Sequence, residues 1–179
     1  MIEPLPMGIN EGVVENPRLN ALVRYWNEKR ASRLMPSRRQ LDPIEIPRLL
    51  PIVLLADAAT TGARIRLMGT DATAACGQEP RGRLVDELDL GEFTPFWSQA
   101  FAVVIKSGAP VSAGSLFHRG TQLHRIESVL LPLSDDGLSV SHVFGGLLVM
   151  TIAPRVSVEP APLVPYVSVL RSRRVTGRV

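Results

Sequence analysis

The chain has 179 residues, 45% of them hydrophobic and 21% charged, enough to bury one core and too few for a multidomain enzyme. Its 20 Lys+Arg against 17 Asp+Glu leave a net charge of only +3, yet that charge is segregated: net −3 over residues 1–17, +6 over 18–39, −4 over 40–152 and +4 over 153–179. A basic leading segment and a basic tail around an acidic middle argue against a uniform nucleic-acid-binding surface. The single cysteine, Cys76, permits no internal disulfide, which points to a cytoplasmic protein. No run approaches the ~20 apolar residues of a membrane span, and no secretory leader pattern opens the chain.

Pro4, Pro6, Gly8 and Gly12 make residues 1–15 read as a loose arm. Asn16-Pro17 then pairs a helix cap with a proline at the first helical position, and Leu19, Leu22, Val23 and Trp26 recur at helical spacing, predicting an amphipathic helix to about Ser32. Asp42-Pro43-Ile44-Glu45 signals a second helix start that Pro47 and Pro51 must keep short. Two strands, Ile52–Ala59 and Ala63–Met68, flank a Thr60-Thr61-Gly62 turn, and Ala63, Ile65 and Leu67 alternate against Arg64 and Arg66. A short helix over Thr70–Cys76 stops at Gly77. Thr94-Pro95 opens a core helix that carries Trp97, Phe101, Val104 and Ile105 on one face and stops at Gly108. Three strand candidates follow, Val111–Phe117, Ile126–Leu133 and Leu138–Ile152, the last two joined at Ser134-Asp135-Asp136-Gly137. Short turns make these strands antiparallel, and the helices between strands two and three must cross one face, which gives an α+β domain over residues 16–152 with a Pro-rich linker and basic tail over 153–179.

Several segments together resemble a bacterial PAS-type domain family found mainly in alphaproteobacteria: Leu22-Val23-Arg24-Tyr25-Trp26, Met35-Pro36-Ser37-Arg38-Arg39, Asp42-Pro43, Ile46-Pro47-Arg48-Leu49-Leu50-Pro51, Arg64-Ile65-Arg66-Leu67-Met68-Gly69-Thr70, Cys76-Gly77, Gly82-Arg83 and Leu130-Leu131-Pro132-Leu133. The likeness covers roughly residues 19–152. It implies a sensory or protein-interaction module with a five-stranded antiparallel sheet, helices covering one face and a possible enclosed ligand. GAF-like domains share that layering and are the alternative fold.

Within that resemblance the helix stripe of Trp97, Phe101 and Val104, with Leu67, Gly69 and Cys76, would line the ligand pocket. The cofactor is left unassigned. Photosensory flavin relatives need a cysteine in an Asn-Cys-Arg-Phe-like helix, whereas Cys76 sits in Ala74-Ala75-Cys76-Gly77, and haem relatives commonly carry a histidine on the long helix, where Thr94–Ser107 has none. His118 and His124 flank a short turn and could approach one another across a hairpin. With His142 they still fall short of a closed four-ligand zinc set, so no metal site is assigned. Gly114-Ser115 lacks the frame of a nucleophile elbow, and Asp86, Glu87 and Asp89 read as a solvated turn, so no catalytic residues are named. Trp26, Arg30, Arg33, Arg38 and Arg39 near the first helix, and Arg171, Arg173 and Arg174 in the tail, form the candidate interaction surface. The resulting expectation is a non-catalytic signalling module that works through protein contacts, as a homodimer. Its alternatives are a receptor for an acidic or phosphorylated metabolite, held by arginines such as Arg38 or Arg66, and an accessory nucleic-acid binder acting through the tail.

Overall fold

A computed structural model describes residues 14–60, 62–119, 121–152 and 166–170. Helix α1 spans Pro17–Arg30, its start set by Asn16, whose side-chain oxygen accepts the backbone N–H groups of Arg18 at 3.0 Å and Leu19 at 3.4 Å. Lys29 and Arg30 occupy its last turn, where cations complement the helix dipole. Three 3-10 turns follow, Arg38–Gln40, Pro43–Glu45 and Leu50–Ile52. Strands β1 (Val53–Ala59) and β2 (Gly62–Met68) lead into α2 (Thr70–Cys76), which ends at Gly77 with φ 65°. Two more turns, Val85–Glu87 and Gly91–Phe93, precede α3 (Thr94–Ser107). Thr94 does not cap α3 as its sequence position suggests: its hydroxyl accepts the Leu90 N–H at 2.8 Å and donates to the Leu88 carbonyl at 3.1 Å, fastening the preceding turn to the helix start.

The remaining elements are β3 (Val111–Arg119), β4 (Gln122–Leu133), β5 (His142–Ile152) and β6 (Tyr166–Val169). All pairings are antiparallel, in the spatial order β2-β1-β5-β4-β3-β6. The sheet therefore has six strands where the sequence predicts five. The extra strand comes from the segment read as linker and tail: Tyr166-Val167-Ser168-Val169 pairs with Gly114 to Val111 along the β3 edge. A four-residue strand carries too little periodicity to be fixed from sequence, although Val164, Val167, Val169 and Leu170 leave open that the tail adds a strand or docks to a partner.

Two apolar layers sandwich the sheet. On one face α2, α3 and the turns between them bury Phe93, Trp97, Phe101 and Val104 against Ile65, Ile126, Leu130 and Leu147. On the other, α1 lays Leu19, Leu22, Tyr25 and Trp26 over Val53, Val129, Leu131 and Phe144. Helices thus cover both faces. Gly146 of β5 makes the second contact close, because a Cβ there would stand 2.6 Å from Leu22 Cδ1 and 3.0 Å from Leu19 Cδ2. Trp26, expected on an interaction surface, is 2% exposed, and its Nε1–H donates to the Pro132 carbonyl at 2.8 Å. The amphipathic face of α1 is used within the chain, so Trp26 belongs to the core.

Candidate functional site

Three regions bear on function, and the first is the interior between α3 and the sheet. Trp97, Phe93 and Phe101 fill it, with exposures of 0–1%. Trp97 meets Phe101 edge-on at 5.3 Å and stacks over Phe93 at 6.5 Å between centroids. Its indole N–H donates to Ser128 Oγ at 3.1 Å, and that hydroxyl donates to the Gly146 carbonyl at 3.0 Å. The aromatic plug is therefore tied to the sheet backbone. Cys76 and Val104 share this cluster. Burial pushes the Cys76 thiol up to about 11, so it stays protonated at neutral pH.

Leu67 and Gly69, predicted with this group, lie elsewhere. Leu55 and Ala56 of β1 oppose Leu67 and Ile65, so Arg66 is an extra residue in β2 and the strand's alternation breaks there. Ala63 and Ile65 face the interior, while Leu67 is 50% exposed on the α1 side. Gly69 follows it, packed so tightly that a Cβ would collide with the carbonyl oxygens of Leu50 and Pro51.

Both residues line the second region, a groove of about 490 Å³ bounded by α1, the 38–51 segment and the β1–β2 corner, with Tyr25, Arg38, Leu41, Ile46, Leu55 and Phe144 in its wall. Tyr25 fixes one side: its hydroxyl donates to the Asp42 carbonyl at 3.1 Å and receives the Asp42 N–H at 2.7 Å. Burial, then the neighbouring Glu45, holds the phenol at about 12.

The third region is a larger groove of about 980 Å³ where the C-terminal ends of α1 and α3 meet the β4–β5 hairpin and the end of β6. Leu34, Leu138 and Val169 line it with exposures of 77%, 89% and 39%. Among the described residues its only ionisable lining residues are Arg30 and Lys106, both cationic. Arg30 lies over the Trp26 ring at 5.5 Å, accepts rigid placement from Asn27, whose oxygen takes its Nε–H at 2.9 Å, and donates to the Arg33 carbonyl at 3.1 Å. Arg33 in turn donates to the Lys29 carbonyl at 3.3 Å. Thus Arg30 and Arg33 gather at this end, Arg38 lies at the smaller groove, and Arg39 is exposed beside it. Arg171, Arg173 and Arg174 lie outside the described residues. Sequence reading missed Leu34, Lys106 and Leu138, which stand in loops or at a helix end where no periodicity marks them.

The histidines do not converge. Phe117, not His118, pairs with His124, so the two imidazoles fall on opposite faces of the β3–β4 hairpin. His124 is 7% exposed and stacks on Phe117 at 5.3 Å, while His142 lies at the other end of the sheet beside Asp57 and Asp135. Among the described residues no group of three or more His, Cys, Asp or Glu is placed to hold a metal ion. On the α1 face Glu127 is buried beside Arg125, and desolvation pushes its carboxyl up against the lowering pull of that arginine.

A sheet ordered 2-1-5-4-3-6, with helices crossing between the second and third strands, defines an antiparallel α+β domain. Residues 14–148 match the PAS domain family, and the chain belongs to it. A PAS domain implies a sensory or signalling module. Similar solved structures include VqmA bound to DPO (13% identity, TM-score 0.47, covering 60% of this chain and 56% of that one). A Vibrio cholerae VqmA dimer without target DNA aligns at 14% identity and TM-score 0.47, over 60% of this chain and 50% of that one. The PAS domain of Bordetella pertussis BvgS aligns at 15% identity and TM-score 0.46, over 64% and 90%. This chain thus spans about half the length of the VqmA chains. No curated protein matches it. Among the described residues no helix is long and apolar enough to cross a membrane.

Proposed function

We propose that this chain is a cytoplasmic bacterial PAS module that relays signals through protein contacts, without catalysis, and that it works as a homodimer. One observation carries the reading: Leu34, Leu138 and Val169, three of the large apolar side chains left exposed among the described residues, line one groove rimmed by Arg30 and Lys106, while the interior between α3 and the sheet is packed with aromatic rings. Leu34, Leu138 and Val169 would each gain from burial, at about 25 cal/mol per Å² of apolar surface covered, and clustered exposed apolar groups mark interaction surfaces more often than scattered ones do. Arg30 and Lys106 at the rim would set the register of the contact more than its strength.

Analytical ultracentrifugation across a concentration series tests the proposal. The wild-type chain should sediment as a dimer that Leu138→Glu or Leu34→Glu converts to monomer without loss of helix content. A wild-type chain that is monomeric at every concentration removes the homodimer, and unchanged behaviour in both variants removes this groove as the contact.

A further inference from the structure

The smaller groove goes beyond that reading. Its volume of about 490 Å³ falls within the roughly 300–1,000 Å³ common to small-molecule sites. Leu41, Ile46, Leu55, Leu67 and Phe144 make its wall apolar, and Leu67 is an apolar side chain half exposed on the α1 face of the sheet. Arg38 stands at its rim. The side chain is partly buried, and its guanidinium makes no hydrogen bond or ion pair with any described residue. The one acid among the described wall residues, Asp42, is exposed and engaged by its own loop, accepting the Ile44 N–H through Oδ1 at 2.9 Å.

The turn that carries Arg38 is held firmly. Gln40 accepts the Ser37 N–H through Oε1 at 2.8 Å and donates through Nε2 to the Lys29 carbonyl at 3.2 Å, tying the turn to the end of α1. A partly desolvated cation without a partner is costly, and a guanidinium offers two parallel N–H donors that match a carboxylate. Besides Tyr25, Arg38 and Asp42, Thr70 is the one further polar side chain among the described wall residues, and no second cation lines the groove to meet another charge.

We propose that this groove binds a small apolar carboxylate, a medium-chain or aryl-substituted acid whose tail lies against Leu55, Leu67 and Phe144 and whose carboxylate pairs with Arg38. A phosphorylated metabolite is disfavoured, since it would bring two or more charges and polar hydroxyls to a wall with one free cation. The site lies on the α1 face of the sheet, so it does not require the aromatic interior to open.

Titration of the full-length chain with octanoate and with phenylpropionate, followed by amide and indole NMR shifts, tests the assignment. Shifts should centre on Leu41, Leu67, Gly69 and Phe144 while the Trp97 indole signal stays in place. Octanol should bind at least tenfold more weakly than octanoate, because it lacks the charge that Arg38 recognises. Arg38→Gln should cost tenfold or more, with Arg38→Lys in between. Leu67→Glu, at a side chain exposed enough to leave the fold intact, should abolish binding by setting one carboxylate against another. The proposal is overturned if neither acid produces shifts, if shifts centre on Trp97, if octanol binds as tightly as octanoate, or if Arg38→Gln and Leu67→Glu both leave the affinity unchanged.

Discussion

Replacing Trp97 with alanine measures how firmly the interior is filled. The side chain is fully buried, contacts Phe93 and Phe101, and donates to Ser128. Truncating a buried tryptophan costs about 3–5 kcal/mol through lost transfer energy and the cavity left behind. The hydrogen-bond part adds little: Ser128 loses a donor it accepted from but keeps its own donation to the Gly146 carbonyl. For a chain of this size, with stability of about 5–15 kcal/mol, that loss should lower Tm by roughly 6–20 °C. Added indole should refill the space and, at about a hundredfold excess over its Kd, restore about 2.7 kcal/mol to the variant alone. Differential scanning fluorimetry of wild type and variant, each with and without indole, reads all four terms. A loss below about 1 kcal/mol, or equal protection of the wild type by indole, would refute the picture of a plugged interior.

Three further outcomes follow from the packing and the charges. Gly145→Ala should destabilise more than Gly146→Ala in urea titrations, because the new methyl at 145 meets the rigid Val129 carbonyl, whereas at 146 it meets the movable ends of Leu22 and Leu19 and should cost about 1–3 kcal/mol. Glu127→Gln should raise stability above the ordinary glutamate range and flatten its pH dependence there. With its carboxyl pushed up by burial, the folded state holds a proton that the unfolded state releases, so wild-type stability falls as pH rises through that window and then levels off; a steeper pH profile in the variant would reverse the sign. Cys76 should resist iodoacetamide in the native protein and react at once in urea, since its thiol is both buried and protonated. Rapid native labelling at neutral pH would contradict that placement.

The parts of the fold visible in the sequence are those with strong local signals. Asn16-Pro17 and the Leu19–Trp26 spacing give α1, while Trp97, Phe101 and Val104 with Gly108 give α3, and the structure places both helices as expected. What α1 packs against was not legible, because an apolar helix face looks the same whether a sheet or another subunit covers it. The candidate site was legible in part. Period-two reasoning carried Leu67 inward with Ile65, and it failed at Arg66, where a bulge advances the strand by one residue with no glycine or proline to announce it. The same one-residue arithmetic separates His118 from His124: the strands run past the positions where sequence alone ends them, and register, set by the turn, decides which side chains meet. Arg38 was picked out for its charge. That it forms no ion pair with any described acid is a tertiary fact that no local pattern encodes.

Gly146 gives the sheet a property that neither helix has alone. Its carbonyl receives the Ser128 hydroxyl that anchors Trp97, and its bare Cα is the seat on which Leu22 and Leu19 rest. One peptide unit is thus touched from both sides. Trp97 and α1 are joined through one residue of β5, with no loop between them. A substitution at Gly146 should therefore disturb the packing on both faces of the sheet at once.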